Sequence, residues 1–375
     1  MAAIDAVLYQ YHPTQDGKQI VQATLNSEKS LNALSQPMVE SLLTHLSQWQ
    51  DNPEIVAIVL EGAGDKAFCA GGDIVQLYQA MVENPQAKQP YVEEFFTHEY
   101  HLDYLIHTYP KPIILWGNGF VMGGGLGLMA GASHRIVTET SKVAMPEISI
   151  GLYPDVGATY FLNKMPDRLG LFLGLTAAQM NAADCMEVGL ADHFLPHQCK
   201  GEFLSQLTET SWPTSHDEIE AQVTALIQTV GESKQGLCPA GNIAQHRDII
   251  NQVLKPESLS DVVDAILALD NQDKWLSKAQ RSLANGSAVS ACILERQLSV
   301  GAELTLEECF KLELSLSVRC GQLGEFSEGV RALLIDRDNQ PKWLYQQVND
   351  VDSQVIDDLF RPMWADLEHP LSSLL

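Results

Sequence analysis

Two acidic residues with apolar neighbours, Glu147 after Met145-Pro146 and Asp155 after Tyr153-Pro154, are the side chains in this sequence most suited to acid–base chemistry. A carboxyl group taken out of water without a partner is costly, so such groups are paired, protonated or used as an acid or base. Upstream stand two glycine-rich turns, each after an apolar run: CAGGD, with Gly71 and Gly72, and NGFVMGGG, with Gly123, Gly124 and Gly125. Glycine lets a backbone N–H come close to a ligand. At a helix start that N–H has no internal acceptor and lies at the positive end of the helix dipole. One donor from each turn, aimed at a single carbonyl oxygen, stabilises the negative charge that develops there when the carbonyl is attacked. The residue types therefore point to chemistry at a carbonyl group, with main-chain donors and a carboxylate.

Each feature also has a plainer reading. Three glycines in a row serve helix–sheet packing, although packing does not require the CAGGD turn as well. Glu147 fits an ion pair or a strand-end cap, and Asp155 fits an Asx turn or the N-cap of a following helix. Glu99, in HEYHLDYLI, fits a solvated helix position. Cys69 reads as a small buried residue rather than a nucleophile. His98, His101 and His107 do not stand at metal-ligand spacing with an acidic pair, so no metal is expected. Gly117-Asn118-Gly119 with Glu139 imitates a dinucleotide fingerprint, but the third glycine falls one residue late, at Gly123 rather than at Met122.

These groups need strands to hold them. Residues 20–25, 56–60, 113–116 and 136–137 read as strands, the last two flanking the glycine-opened helix. Met38, Leu42, Leu46 and Trp49 recur at helical spacing after Pro37, and 91–108 reads as a further helix. Such alternation argues for an α/β core. From about residue 213 the signals are mainly helical, with Ser258 ahead of Asp261 and a capping box at Thr305–Glu308. The expected organisation is a catalytic core over 1–200 and a helical C-terminal region over 201–375.

The chain has 375 residues, is 45% hydrophobic and carries a net charge of −25. That charge argues against nucleic acid or an anionic membrane as partner. No apolar run approaches the roughly 20 residues that span a bilayer. Residues 1–13 lack the features of a secretory signal or transit peptide. Seven scattered cysteines without a CxxC pair suggest reduced thiols and a cytoplasmic location.

Taken together, AFCAGGD at 67–73 and NGFVMGGG at 118–125 resemble the two oxyanion segments of the crotonase (enoyl-CoA hydratase/isomerase) superfamily. SEKSLNALS at 27–35 resembles its adenine-side loop, and EGVRALLIDRDNQPKW at 328–343 its closing helix. The string MPEISIGLYPDVGATYFL at 145–162 resembles the 3-hydroxyisobutyryl-CoA hydrolase branch. The resemblance implies a ββα superhelix completed by the helical C-terminal region, an acyl-CoA substrate, no cofactor, and a possible homo-oligomer. It implies oxyanion donors at the N–H groups of Gly72 and Gly124, catalytic acidic groups at Glu147 and Asp155, and a further acidic pocket position at Glu99. Lys29, Ser30, Leu31, Ala70, Gly72, Asp73 and Lys342 are the expected CoA contacts, with Lys66 and Arg337 adding to a basic rim. The expected reaction is hydrolysis of 3-hydroxyisobutyryl-CoA in valine degradation, with Glu147 as base or nucleophile and Asp155 binding the 3-hydroxyl or placing the water. Family hydratases carry a second glutamate where this chain has Gly127, which argues against water addition to a double bond. The remaining alternatives are an enoyl-CoA hydratase or isomerase, and a CoA-binding pseudoenzyme on the same fold.

Overall fold

The run IVAIVLEG, Ile55–Gly62, is buried along its whole length and forms β3, an inner strand of a six-stranded sheet. A parallel strand covered on both faces has no polar side to show, hence the unbroken apolar sequence. The sheet order is β1-β2-β3-β5-β7-β9, with β1 Val7–Pro13, β2 Gln19–Leu25, β5 Ile113–Gly117, β7 His134–Val137 and β9 His193–Phe194. Only the β1–β2 hairpin pairs antiparallel; the other neighbours are parallel. A second sheet of three short strands has the order β4-β6-β8, from Ala67–Cys69, Phe120–Met122 and Lys142–Ala144. The chain thus lays β3, β5 and β7 in the large sheet and follows each with a strand of the small one. After each such pair comes a helical segment: α2 Ile74–Glu83, α4 Gly124–Gly131, and the 3₁₀ turn Glu147–Ile150. This is the ββα repeat that the resemblance implies.

The computed structural model describes residues 5–85 and 87–374. The absence of a leader, read from residues 1–13, falls in part on residues 1–4, outside that range. The described residues group into two units that interleave along the sequence. The first is Met1–Gly72, Leu102–Val143 and Met180–Gly241; the second is Asp73–His101, Ala144–Gln179 and Asn242–Leu375.

The first unit holds the large sheet. Its core joins Ile20, Val56, Val59, Ile114, Trp116 and Ile136 to Phe203 and Leu207 of α8 (Lys200–Glu209) and to Val223 and Ile227 of α9 (His216–Gly231). Helix α1, Gln36–Trp49, begins with Pro at its first turn and buries Met38, Leu42, Leu46 and Trp49, the stripe expected from spacing. Helix α7 is Ala182–Glu187.

The second unit is mostly helical, with α3 Pro90–His107 passing from it into the first. Its other helices are α2, α5 Ala158–Phe161, α6 Leu169–Thr176, α10 Asn242–Val253, α11 Leu259–Leu267, α12 Lys274–Asn285, α13 Ala288–Gly301, α14 Leu306–Leu323, α15 Glu325–Val330 and α16 Ser353–Phe360. Ser258 caps α11 by accepting from the Asp261 N–H, and Thr305 with Glu308 forms the expected capping box of α14. After β9 the described residues form helices and turns without strands. Among the described residues no helix is long and apolar enough to cross a membrane.

Candidate active site

The two glycine turns belong to the first unit. Strands β4 and β6 pair in parallel, Ala67 beside Phe120 and Cys69 beside Val121, so both turns leave at the same edge. A side chain at Gly71 would meet the Met122 carbonyl at 3.5 Å, which places Gly71-Gly72 alongside the start of α4. Gly123 has φ +47° and precedes the helix as its N-cap; Gly71 has φ +114°. Both conformations suit glycine and strain other residues. Gly124 is the first residue of α4, so its N–H has no acceptor within the helix. The loop at 27–35 joins the same edge: Ala70 donates to the Leu31 carbonyl (3.1 Å) and Leu34 to that of Gly71 (2.8 Å). Buried Asn32 fixes this loop by accepting from the Ser27 N–H and donating to the carbonyls of Ala63 and Ala67 (each 3.0 Å). Leu31 and Ala70 are thus in contact, Lys29, Ser30, Gly72 and Gly124 belong to the same unit, and Lys29 and Lys66 are exposed. Cys69 is fully buried, as expected of a packing residue.

The carboxyl groups belong to the second unit. Glu147 opens the 3₁₀ turn Glu147–Ile150, capped by Gly151 at φ +68°. Glycines let other segments press onto this turn. A side chain at Gly329 of α15 would lie 2.3 Å from the Ile150 backbone, and one at Gly151 would lie 2.4 Å from the Glu325 carbonyl. The Ser287 N–H, just ahead of α13, donates to the Ile148 carbonyl (3.0 Å). Glu147 is thus held by α13 and α15, although its own Oε2 is buried without a hydrogen-bond partner.

Asp155 does not cap the helix after it. The N–H groups of Gly157 and Thr159 at the start of α5 are taken instead by the Glu313 carboxyl of α14, at 2.7 and 2.8 Å. Gln297 of α13 donates to the Pro154 carbonyl and to Thr159 Oγ1, each at 2.7 Å. Between these anchors Val156 sits at φ +54°, a strained conformation for a β-branched residue, of order 1–3 kcal/mol. With its loop pinned from outside, Asp155 is able to hydrogen-bond the Tyr100 hydroxyl of α3 (2.6 Å). Tyr100 also meets Ser317 Oγ at 2.6 Å, Ser317 meets the Tyr153 hydroxyl at 2.8 Å, and Tyr153 donates to the Glu313 carbonyl at 2.7 Å. Glu99 precedes Tyr100 on α3 and is 2% exposed, so the solvated reading of that position fails.

Glu99, Glu147, Asp155 and Glu313 all have pKa values raised first by burial. The Asp155 charge raises Glu99 and Glu147 further, and Glu99 adds to Glu147. Asp155 is pushed up to about 7 and Glu313 to about 8, against the pull of their hydrogen bonds. A carboxyl whose folded pKa is raised binds its proton more tightly in the folded state. Stability is therefore lost as pH climbs from the ordinary carboxylate value to the folded one. For Glu313 the window runs from 4.5 to about 8. Glu313→Gln should lower stability overall, because the clamp on α5 is damaged. It should also flatten the pH dependence in that window, by up to ~1.4 kcal/mol per pH unit. Urea unfolding of both proteins at several pH values measures this; parallel slopes would refute it.

The remaining expected contacts lie in the second unit. Asp73 stands before α2 without a side-chain cap bond. Arg337 and Lys342 are exposed, and Lys342 donates its backbone N–H to Glu328 Oε1 (2.7 Å). The closing segment is α15 followed by a π turn, Arg331–Ile335. The dinucleotide alternative fails on geometry: Gly117-Asn118-Gly119 leads into strand β6 rather than a helix, and Glu139 accepts from the His197 N–H (2.9 Å). Sequence reasoning missed Tyr100, Gln297, Glu313 and Ser317.

A family model described as enoyl-CoA hydratase/isomerase matches residues 20–360. The chain is 36% identical to the mitochondrial 3-hydroxyisobutyryl-CoA hydrolase of Danio rerio, over 90% of this chain and 86% of that protein. It is 34% identical to the human protein of that name, over 91% and 86%. Among solved structures it is similar to a carnitinyl-CoA dehydratase from Mycobacterium thermoresistibile, with TM-score 0.83, 31% identity and coverage of 97% and 98%. It is also similar to an enoyl-CoA hydratase from Rhodobacter sphaeroides, with TM-score 0.80, 30% identity and coverage of 96% and 98%.

Proposed function

The chain belongs to the enoyl-CoA hydratase/isomerase family, and from that premise we propose that it hydrolyses short 3-hydroxyacyl-CoA thioesters, foremost 3-hydroxyisobutyryl-CoA. The products are 3-hydroxyisobutyrate and CoA. The observation that carries this reading is the unpartnered, buried Oε2 of Glu147 beside a second buried acid, Asp155. The hydrolases to which this chain is similar, together with Gly127 at the second hydratase glutamate position, support thioester cleavage over hydration.

In this reading the N–H groups of Gly72 and Gly124 hold the thioester oxygen. Water attacks the carbonyl carbon and its proton passes to the Glu147 carboxylate. The tetrahedral intermediate collapses with cleavage of the C–S bond, and the proton on Glu147 goes to the departing sulfur. Asp155 receives the 3-hydroxyl. Because Glu147 acts ionised and its pKa is raised by burial, kcat/KM should rise with pH until that group is deprotonated. The seven cysteines, with no disulfide among the described residues, are in keeping with a reducing compartment, a cytoplasmic one included, as part of the same proposal.

The test is a panel of acyl-CoAs assayed for free thiol in the presence of a chelator, with hydration of crotonyl-CoA followed in parallel. Thiol should be released from 3-hydroxyisobutyryl-CoA far faster than crotonyl-CoA is hydrated. Rapid hydration without thiol release would make the chain a hydratase. Binding without either reaction would make it a pseudoenzyme.

A further inference from the structure

The four contacts linking Asp155, Tyr100, Ser317, Tyr153 and the Glu313 main chain, at 2.6, 2.6, 2.8 and 2.7 Å, impose a count of hydrogens. All are within hydrogen-bond distance, and each requires one hydrogen between its two oxygens. Three hydroxyls supply three hydrogens, and the Glu313 carbonyl supplies none. With Asp155 ionised, the Tyr100 hydrogen goes to the carboxylate, and one of the other three contacts is left with two oxygens facing each other. A fourth hydrogen on Asp155 completes the row: Asp155 donates to Tyr100, Tyr100 to Ser317, Ser317 to Tyr153, and Tyr153 to the Glu313 carbonyl.

We propose that Ser317 and Tyr153, acting through Tyr100, form a directional hydroxyl row that holds the proton on Asp155, making these two positioning residues for that acid. Loss of the proton from Asp155 requires Tyr100 to turn its hydrogen back and leaves one contact in the row unmade. All members are buried: Tyr100 and Tyr153 are fully inaccessible, as is Ser317. Water is therefore not at hand to replace the missing hydrogen, and an unmade contact costs more than it would at the surface. The other titratable groups whose charge couples to Asp155 are Glu99 on α3, Glu147 on its turn, and Glu313 and Cys320 on α14. None is a cation, so none favours the ionised acid, and burial raises the Asp155 pKa as well.

The row makes an unusual demand on its variants. Ser317→Ala removes the two middle contacts and one hydrogen. The remaining two contacts are then satisfied with Asp155 ionised, so its pKa should fall. Tyr153→Phe acts the same way, leaving two contacts and two hydrogens. Tyr100→Phe removes the hydroxyl that lowers the Asp155 pKa by donating to its carboxylate, so that pKa should rise. Shifts of about one pH unit or more, opposite in sign, are expected from deleting hydroxyls of a single row.

Difference infrared spectroscopy of the full chain follows the carbonyl stretch of protonated Asp155 through a pH titration, assigned by its loss in Asp155→Asn. This readout needs no substrate, so it stands whether or not the chain is a hydrolase. Downward shifts in Ser317→Ala and Tyr153→Phe with an upward shift in Tyr100→Phe would establish the row. Shifts of one sign in all three, or none, would overturn it. If Ser317→Ala does not fold, Tyr153→Phe against Tyr100→Phe gives the same decision.

Discussion

Glu147→Gln should fold, bind CoA thioesters about as well as the parent, and lose nearly all turnover. The amide has the shape of the carboxyl and fits the same turn, pressed between Gly329, Gly151 and Ser287. What it cannot do is take a proton from water. General base catalysis contributes roughly 10²–10⁴-fold, so the loss in kcat should be at least about 100-fold. The affinity for a CoA thioester should change little, because the lost interaction belongs to the transition state. One property should improve. The raised pKa of Glu147 means that ionising it costs the folded state stability as pH rises, and the glutamine removes that cost. The variant should therefore resist urea better than the parent at alkaline pH, a result that a misfolded protein would not give. The same measurements bear on chemistry: an acyl-enzyme trapped by hydroxylamine in the parent and absent in Glu147→Gln would make Glu147 a nucleophile rather than a base. Near-parental turnover in Glu147→Gln would overturn the mechanism and move the search for the base to Glu99.

How much of this was readable beforehand depends on the distance in sequence between a residue and what holds it. The strands at β3 and β5 were legible because parallel strands inside an α/β core are apolar almost throughout. The α14 capping box was legible because both members lie within four residues. Glu147 and Asp155 were legible as buried acids because prolines and apolar residues flank them. Glu313 was not, although it does the capping assigned in one reading to Asp155. It reaches Gly157 from 156 residues away, and no local pattern records that. A weak signal existed: Glu313 and Ser317 stand four apart on a helix, on the face that also carries Phe310 and Leu314. Glu99 shows the converse failure. Its neighbours on α3 are polar enough to suggest solvent, and only tertiary packing buries it. In each case the misread residue is polar and buried, the class for which local sequence carries least information about partners.

Gly124→Pro should lose about 100-fold or more in kcat, because it deletes one hydrogen from the oxyanion donors while leaving the helix start intact. Removal of one such donor costs about 2.7–4 kcal/mol in barrier height. Proline is tolerated at the first helical position, where the missing N–H has no helical acceptor to lose. It also restricts the residue before it to extended ψ. Gly123 has φ +47° and ψ −124°, the mirror image of that extended region, which an achiral glycine adopts freely. The next position would not give a clean test. A Cβ on Gly125 would come within 2.5 Å of the Cys69 carbonyl, so a substitution there would push α4 off β4 and report on packing. Gly124→Ala is the control, since it adds a Cβ and keeps the N–H. A loss in the proline variant well beyond that in the alanine variant, with circular dichroism and thioester affinity preserved in both, assigns the effect to the hydrogen itself. Equal losses would mean that bulk near Gly124 matters and its N–H does not. Near-parental turnover with proline would place the oxyanion donors elsewhere in the first unit, with Gly72 the next to be tested.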